Sequence, residues 1–267
     1  MGSKLQQNES KEQMIVGGDL AEALKGNYRV HPMQWLKEAF AITGRHFWPL
    51  VTAMISFLAV LLVIVTVIQI VLPMSVLSSP EAINQMTPIQ GLGLALFSTA
   101  IAAPLFGGII LMGIRHSIDI PTKGLHIFKG FEVVTSLIAA GVITTLISQL
   151  FVWLAASISP LLGYIVTLYT SAIFCLAIPL VVERRISPLN AIYYSIRITH
   201  YHLPFFIALT FAFYMVFIMG LITYGLLLFV LIPYLVNLLG LIYRQVIGVN
   251  VRLQPPSQSN QSDDWTA

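Results

Sequence analysis

The chain has 267 residues, of which 57% are hydrophobic and 9% charged, and its mean hydropathy is +0.84. A soluble domain carries roughly 25% charged residues, so this composition excludes an ordinary soluble globular protein and calls for lipid as the solvent. The net charge of +3 comes from cations scattered just outside apolar runs, without the basic face that nucleic-acid binding needs.

Residues 1–30 are polar and mixed in charge, which predicts a solvated cytoplasmic tail with a short helix over Asp19–Lys25. Next, Met33, Leu36, Phe40, Thr43 and Phe47 recur at spacings of three and four. They predict an amphipathic helix with one mostly apolar stripe, lying at a membrane surface. Trp35 and Trp48 suit the same interface, where an amphipathic ring has one wet and one apolar side.

A single membrane domain is expected over residues 31–246, with spans at about 48–72, 89–114, 131–156, 161–182, 205–222 and 226–243. About 20 apolar residues suffice for a crossing, so the long run Pro204–Tyr243 is divided at the Thr223-Tyr-Gly225 step. No Lys, Arg, Asp, Glu or His lies in the middle of any span. Backbone groups must be satisfied internally in lipid, so the spans are expected to be helices. Six spans place all 14 Lys and Arg residues on the side of the two termini. The positive-inside rule then predicts an inner-membrane protein with both termini cytoplasmic. Residues 247–267 end in a Pro-, Ser- and Gln-rich stretch and are expected to form a disordered cytoplasmic tail.

Internal similarity suggests how the spans are grouped. His31–Phe47 aligns without gaps on Ser187–Leu203, matching Pro32 with Pro188, Thr43 with Thr199 and His46 with His202. Ser187 and the proline after it form a helix-start signal. The even-numbered spans each hold a proline, Pro104, Pro179 or Pro233. Pro104 precedes Arg115, and Pro233 precedes Arg244, by the same eleven residues. The expected fold is therefore all-α and polytopic: six transmembrane helices in three parallel repeats of surface helix plus helical hairpin. Each proline removes an intrahelical hydrogen bond and is a candidate kink.

Ser187-Pro-Leu-Asn-Ala-Ile-Tyr-Tyr-Ser-Ile-Arg197, followed by Leu203-Pro-Phe-Phe206, resembles a signature of uncharacterised bacterial integral membrane proteins. Ala103-Pro-Leu-Phe-Gly-Gly108 and His126-Ile-Phe-Lys-Gly-Phe131 are similar to their second span and middle loop. These families are similar to the membrane domain of some glycerophosphodiester phosphodiesterases. The likeness covers roughly Trp35 to Gln245 and implies the fold and a membrane location. The phosphodiesterase activity belongs to a separate soluble domain, for which this chain has no room. Asn190 stands where an acidic residue is common, and His200-Tyr-His202 departs from the usual pattern.

Candidate chemistry is sparse. Arg115, Lys123, Lys129, Arg184, Arg185 and Arg197 lie just outside the spans and are candidate contacts for lipid headgroups, since juxtamembrane cations attract anionic lipid. A metal site from His46, His200, His202 and Glu183 is conceivable on residue types but poorly supported, because His200 and His202 splay apart on a helix. No catalytic residue, metal or cofactor is expected, as no nucleophile elbow, phosphate loop, zincin helix or cysteine pair is present. Small residues at four-residue steps, Thr99, Ala103 and Gly107 in one span and Ser136, Ala140, Thr144 and Ser148 in the next, predict close helix packing. The expected role is non-enzymatic, through lipid or protein contacts in envelope maintenance. The expected partners are membrane lipids; a protein partner or a homo-oligomer is left open. The alternatives are a transporter or channel for a small solute and, less favoured, a membrane-embedded enzyme.

Overall fold

The computed structural model describes residues 13–71 and 87–252. The predicted outer loop between the first two spans and the ends of both tails lie outside them. The elements in chain order are β1 (Gln13–Val16), α1 (Leu20–Ala23), α2 (Pro32–Arg45), α3 (Phe47–Val71), α4 (Pro88–His116), a 3₁₀ segment (Gly124–Val133), α5 (Val134–Ile158), α6 (Pro160–Phe174), α7 (Ala177–Arg184), α8 (Pro188–Tyr201), α9 (Leu203–Ile222), α10 (Leu228–Val246) and β2 (Val249–Arg252).

The protein is a mostly helical, multi-pass membrane protein. Among the described residues, five helical stretches are long and apolar enough to cross a bilayer, and six if the bent pair α2 and α3 forms one span. That pair turns through 78° at His46, whose backbone leaves the helical region at φ −121°, ψ 32°. His202 separates α8 from α9 in nearly the same conformation, φ −130°, ψ 43°. The Thr223-Tyr-Gly225 step is the expected turn, with Tyr224 and Gly225 both at positive φ. Large apolar side chains such as Leu150, Leu154, Phe217 and Leu221 stay exposed, which suits a lipid surround and would be an aggregation liability in water.

The prolines behave in two ways. α4 and α10 run on through Pro104 and Pro233. The fourth predicted span instead breaks at Cys175 and Leu176 into α6 and α7. Pro179 has no N–H to give the Cys175 carbonyl one turn back, and its ring crowds that carbonyl.

α10 is the centre of the bundle. From Leu235 to Tyr243 every residue is buried, because α10 packs against both α4 and α2. Backbone meets backbone at Gly113 and Gly240: a Cβ on Gly240 would lie 2.3 Å from the Gly113 carbonyl group. Small residues at an interface allow this approach, and dispersion contacts then hold the helices in place of a hydrophobic drive.

Three findings add to or change these expectations. First, Met33 and Phe40 of the predicted stripe are exposed, while a second face of α2, Trp35, Ala39, Ile42 and Thr43, packs inside the protein. Periodicity alone did not show that second face. Second, Trp35 is 3% exposed and packs edge-on against Phe205, so of the two tryptophans only Trp48 is exposed. Third, parts of both predicted tails belong to the folded body. β1 pairs antiparallel with β2, Gln13 opposite Arg252 and Val16 opposite Val249. Asp19 caps α1 through its carboxylate, Ala23 is fully buried, and the Tyr28 hydroxyl donates to the Ile198 carbonyl at 2.7 Å. These contacts join residues far apart in sequence, and no local pattern signals them.

Candidate functional site

The site lies at the charged end of the bundle. Its walls come from the end of α4, the 3₁₀ segment, α7 and β2. Two glycines bring the 3₁₀ segment against α4: a Cβ on Gly108 would lie 1.7 Å from the Ile127 carbonyl oxygen, and one on Gly130 would lie 1.8 Å from the Pro104 carbonyl oxygen. Any larger residue would hold the two backbones apart. This packing carries Lys129 and Glu132 to the side of Arg115.

The result is a cavity of about 620 Å³ whose lining includes Arg115, Lys129, Arg185, Glu132 and Glu183 beside apolar Leu111, Val133 and Val182. Glu132 accepts from Arg185 Nη2 at 2.7 Å. Glu183 is occupied elsewhere, accepting from the Tyr243 hydroxyl at 2.7 Å and from the Asn250 backbone N–H at 2.8 Å. Among the described residues no ion pair engages Arg115 or Lys129. The two carboxylates are thus answered within the fold, and two cations remain for a ligand.

Backbone strain marks the same place. Arg185 adopts φ 53° at the end of α7, and Asp119 adopts φ 56° between Ile118 and Ile120, which line the cavity. A non-glycine residue in the left-handed region costs of order 1 kcal/mol and persists where its surroundings fix it. Asp119 is held by Arg45 at 2.9 Å.

Beside the cavity, His116 is fully buried in a polar chain. Its Nδ1–H donates to Asn237 Oδ1 at 2.9 Å, since a carbonyl oxygen only accepts. Its Nε2 pairs with the Thr122 hydroxyl at 2.7 Å. Asn237 Nδ2 donates to the Thr43 hydroxyl at 3.1 Å, and Thr43 donates to the Ala39 carbonyl at 2.7 Å. His46 stacks on His116 with ring centroids 4.5 Å apart. Four separate stretches of chain are joined, and every polar atom of the His116 ring has a partner, as burial requires.

Of the six candidate headgroup contacts, the fold brings Arg115, Lys129 and Arg185 together and separates the other three. Arg184 turns inward, donating to the Ile247 and Gly248 carbonyls at 2.9 and 3.1 Å. It fastens the turn between α10 and β2 through that guanidinium nitrogen. Lys123 is exposed at the start of the 3₁₀ segment. Arg197 lies on α8, where hydrogen bonds from its guanidinium to the Tyr201 and Tyr193 hydroxyls raise its pKa further. Sequence reading named Glu183 only as a conceivable metal ligand and did not place Glu132, Asn237 or the β2 wall at the site. The two glutamates had a signal, as acidic residues flanking apolar runs, but nothing local showed what they pair with. His200 and His202 bond to separate groups, the Tyr169 hydroxyl and the Tyr28 carbonyl. Among the described residues no three His, Cys, Asp or Glu side chains converge on a point.

The helices and this cavity define a polytopic α-helical membrane protein with a charged recess at one end. No family model, curated protein or solved structure matches the chain, so the resemblance to bacterial integral membrane proteins rests on the residues quoted for it.

Proposed function

We propose that this is a non-enzymatic bacterial inner-membrane protein, both termini cytoplasmic, that holds an anionic lipid headgroup in the Arg115–Lys129–Arg185 cavity and acts through that contact in envelope maintenance. The observation that carries the reading is the convergence of three cations from three elements on one cavity, two of them without an ion-pair partner among the described residues. The apolar wall of Leu111, Val133 and Val182 suits the start of an acyl chain, and the cations suit a phosphodiester. A juxtamembrane cation is worth about 1 kcal/mol toward anionic lipid, so Arg115 and Lys129 together supply about 2 kcal/mol, roughly a thirtyfold preference.

The orientation follows from the positions of the cations under the positive-inside rule. The repeat reading gains support from α2 and α8. Both have 14 residues, both start with proline, and both end at a histidine of similar backbone conformation. Trp35, Ala39, Ile42 and Thr43 are buried in one; Ala191, Ser195, Ile198 and Thr199, the matching positions, are buried in the other. The 3₁₀ segment takes the place of the surface helix in the middle unit. Solute transport is the alternative, and a hydroxyl-lined cleft between α5, α6 and α9 favours it.

The test is lipid retention by the purified full chain, read by native mass spectrometry after exchange into mixtures of phosphatidylglycerol and phosphatidylcholine. Arg115→Gln with Lys129→Gln is expected to lower retained phosphatidylglycerol roughly thirtyfold. Lys123→Gln with Arg197→Gln is expected to leave it within about twofold. Equal loss in both pairs, or no preference for the anionic lipid in the wild type, refutes the assignment.

A further inference from the structure

A second pair of cavities lies midway along the spans, one between α5, α6 and α9 and the other between α6, α9 and α10. One, of about 310 Å³, has a lining that includes Thr144, Thr145, Ser148, Gln149 and Thr170. The other, of about 480 Å³, is lined mainly by Cys175, Leu209, Phe213, Phe217 and Leu239. Ser171 and Tyr214 line both, and their hydroxyls are hydrogen-bonded at 2.9 Å on the seam. A polar chamber and an apolar chamber therefore adjoin. No Asp, Glu, Lys, Arg or His lines either.

Packing explains part of the polar lining. Thr144 donates to the Ala140 carbonyl at 2.9 Å, Thr167 to Gly163 at 2.9 Å and Thr170 to Thr167 at 3.2 Å. These hydroxyls are satisfied by their own helices. Ser148 and Gln149 differ: among the described residues no hydrogen bond engages either side chain, although both line the polar chamber. A carboxamide in the middle of a membrane span is costly without a partner. It offers two N–H donors and a carbonyl acceptor, all in the same half-buried cleft.

We propose that the joined cavity binds an uncharged amphiphile with a hydroxyl-bearing head. The head sits among Ser148, Gln149 and the Ser171–Tyr214 pair, and the apolar chain runs past Phe213 and Phe217. About ten water volumes fit in the polar chamber, which is ample for a glycerol-sized head. A phosphate or carboxylate head is rejected, because no cation stands by to offset its loss of water at this depth. The two sites of the protein thus differ in charge preference: the recess at the charged end takes an anionic head, and the mid-depth cavity takes a neutral one.

The experiment uses the full chain in nanodiscs and a monoacylglycerol carrying a diazirine in its acyl chain. Its matched phosphorylated form, lysophosphatidic acid, serves as the comparison. The monoacylglycerol is expected to label cavity-lining Leu209, Phe213 and Phe217 of α9 about tenfold more than the phosphorylated form. Gln149→Leu is expected to lower that labelling roughly tenfold, whereas Arg115→Gln with Lys129→Gln leaves it unchanged. Where Gln149→Leu alters the circular dichroism spectrum at unchanged oligomeric mass, Phe213→Trp, which narrows the apolar chamber, carries the same expectation. Equal labelling by the two probes overturns the proposal, as does labelling confined to lipid-facing Leu146, Leu150, Phe211 and Ile218. A change of oligomeric mass in Gln149→Leu also overturns it, since Gln149 would then be pairing with a second copy of the chain.

Discussion

Gly108→Ala is the sharpest probe of how the fold builds its charged recess. The added methyl would lie 1.7 Å from the Ile127 carbonyl oxygen, whereas carbon and oxygen approach no closer than about 3.3 Å even in a weak C–H···O contact. The 3₁₀ segment must then retreat by roughly 1.5 Å. It cannot do so freely, because Gly124 of the same segment abuts Thr52 of α3. Forcing an extra carbon into such a contact costs about 1–3 kcal/mol, and the upper end applies where backbone meets backbone. At 2–4 °C per kcal/mol for a chain of this size, the apparent Tm in a fixed detergent is expected to fall by roughly 6–12 °C. The same displacement moves Lys129 away from Arg115, so phosphatidylglycerol retention should fall toward that of the Arg115→Gln, Lys129→Gln variant. Gly91→Ala is the control: among the described residues no atom beyond its own turn of helix lies within 4 Å of its new Cβ, and replacing glycine inside a helix stabilises by about 0.5–1 kcal/mol. A Gly108→Ala protein with wild-type Tm and wild-type lipid retention refutes both the packing argument and the recess it supports.

Asn237→Leu removes the link between the His116 Nδ1–H and the Thr43 hydroxyl and leaves a buried donor unsatisfied. The cost is about 2 kcal/mol, so Tm should drop by roughly 4–8 °C, while Asn190→Leu at an exposed position leaves it in place; scanning fluorimetry reads both. The orientation makes its own prediction: a reporter fused after Ala267 that works only in the cytoplasm is active, and one that works only outside is silent. The reverse pattern ends the proposed topology.

The sequence determined the solvent and the helices. With 57% hydrophobic and 9% charged residues, long uncharged runs have one stable form in lipid, since only a helix satisfies its own backbone there. The run boundaries fall within a few residues of the observed helices because charge and Gly or Pro punctuation is local chemistry. The three prolines did not distinguish the fourth span, which breaks ahead of Pro179, from α4 and α10, which run on through Pro104 and Pro233. The site was legible only as a set of cations. Which of them converge was decided by the tertiary structure, through the contact of Gly108 with Ile127 and the turning of Arg184 toward the Ile247 carbonyl. The same holds for β1 with β2, for His116 with Asn237 and for the inward face of α2, which a hydrophobic pattern cannot distinguish from its lipid-facing side. A local pattern records how one segment meets its solvent. Pairings between distant segments depend on shape and on backbone approach at particular glycines, and those exist only once the bundle has formed.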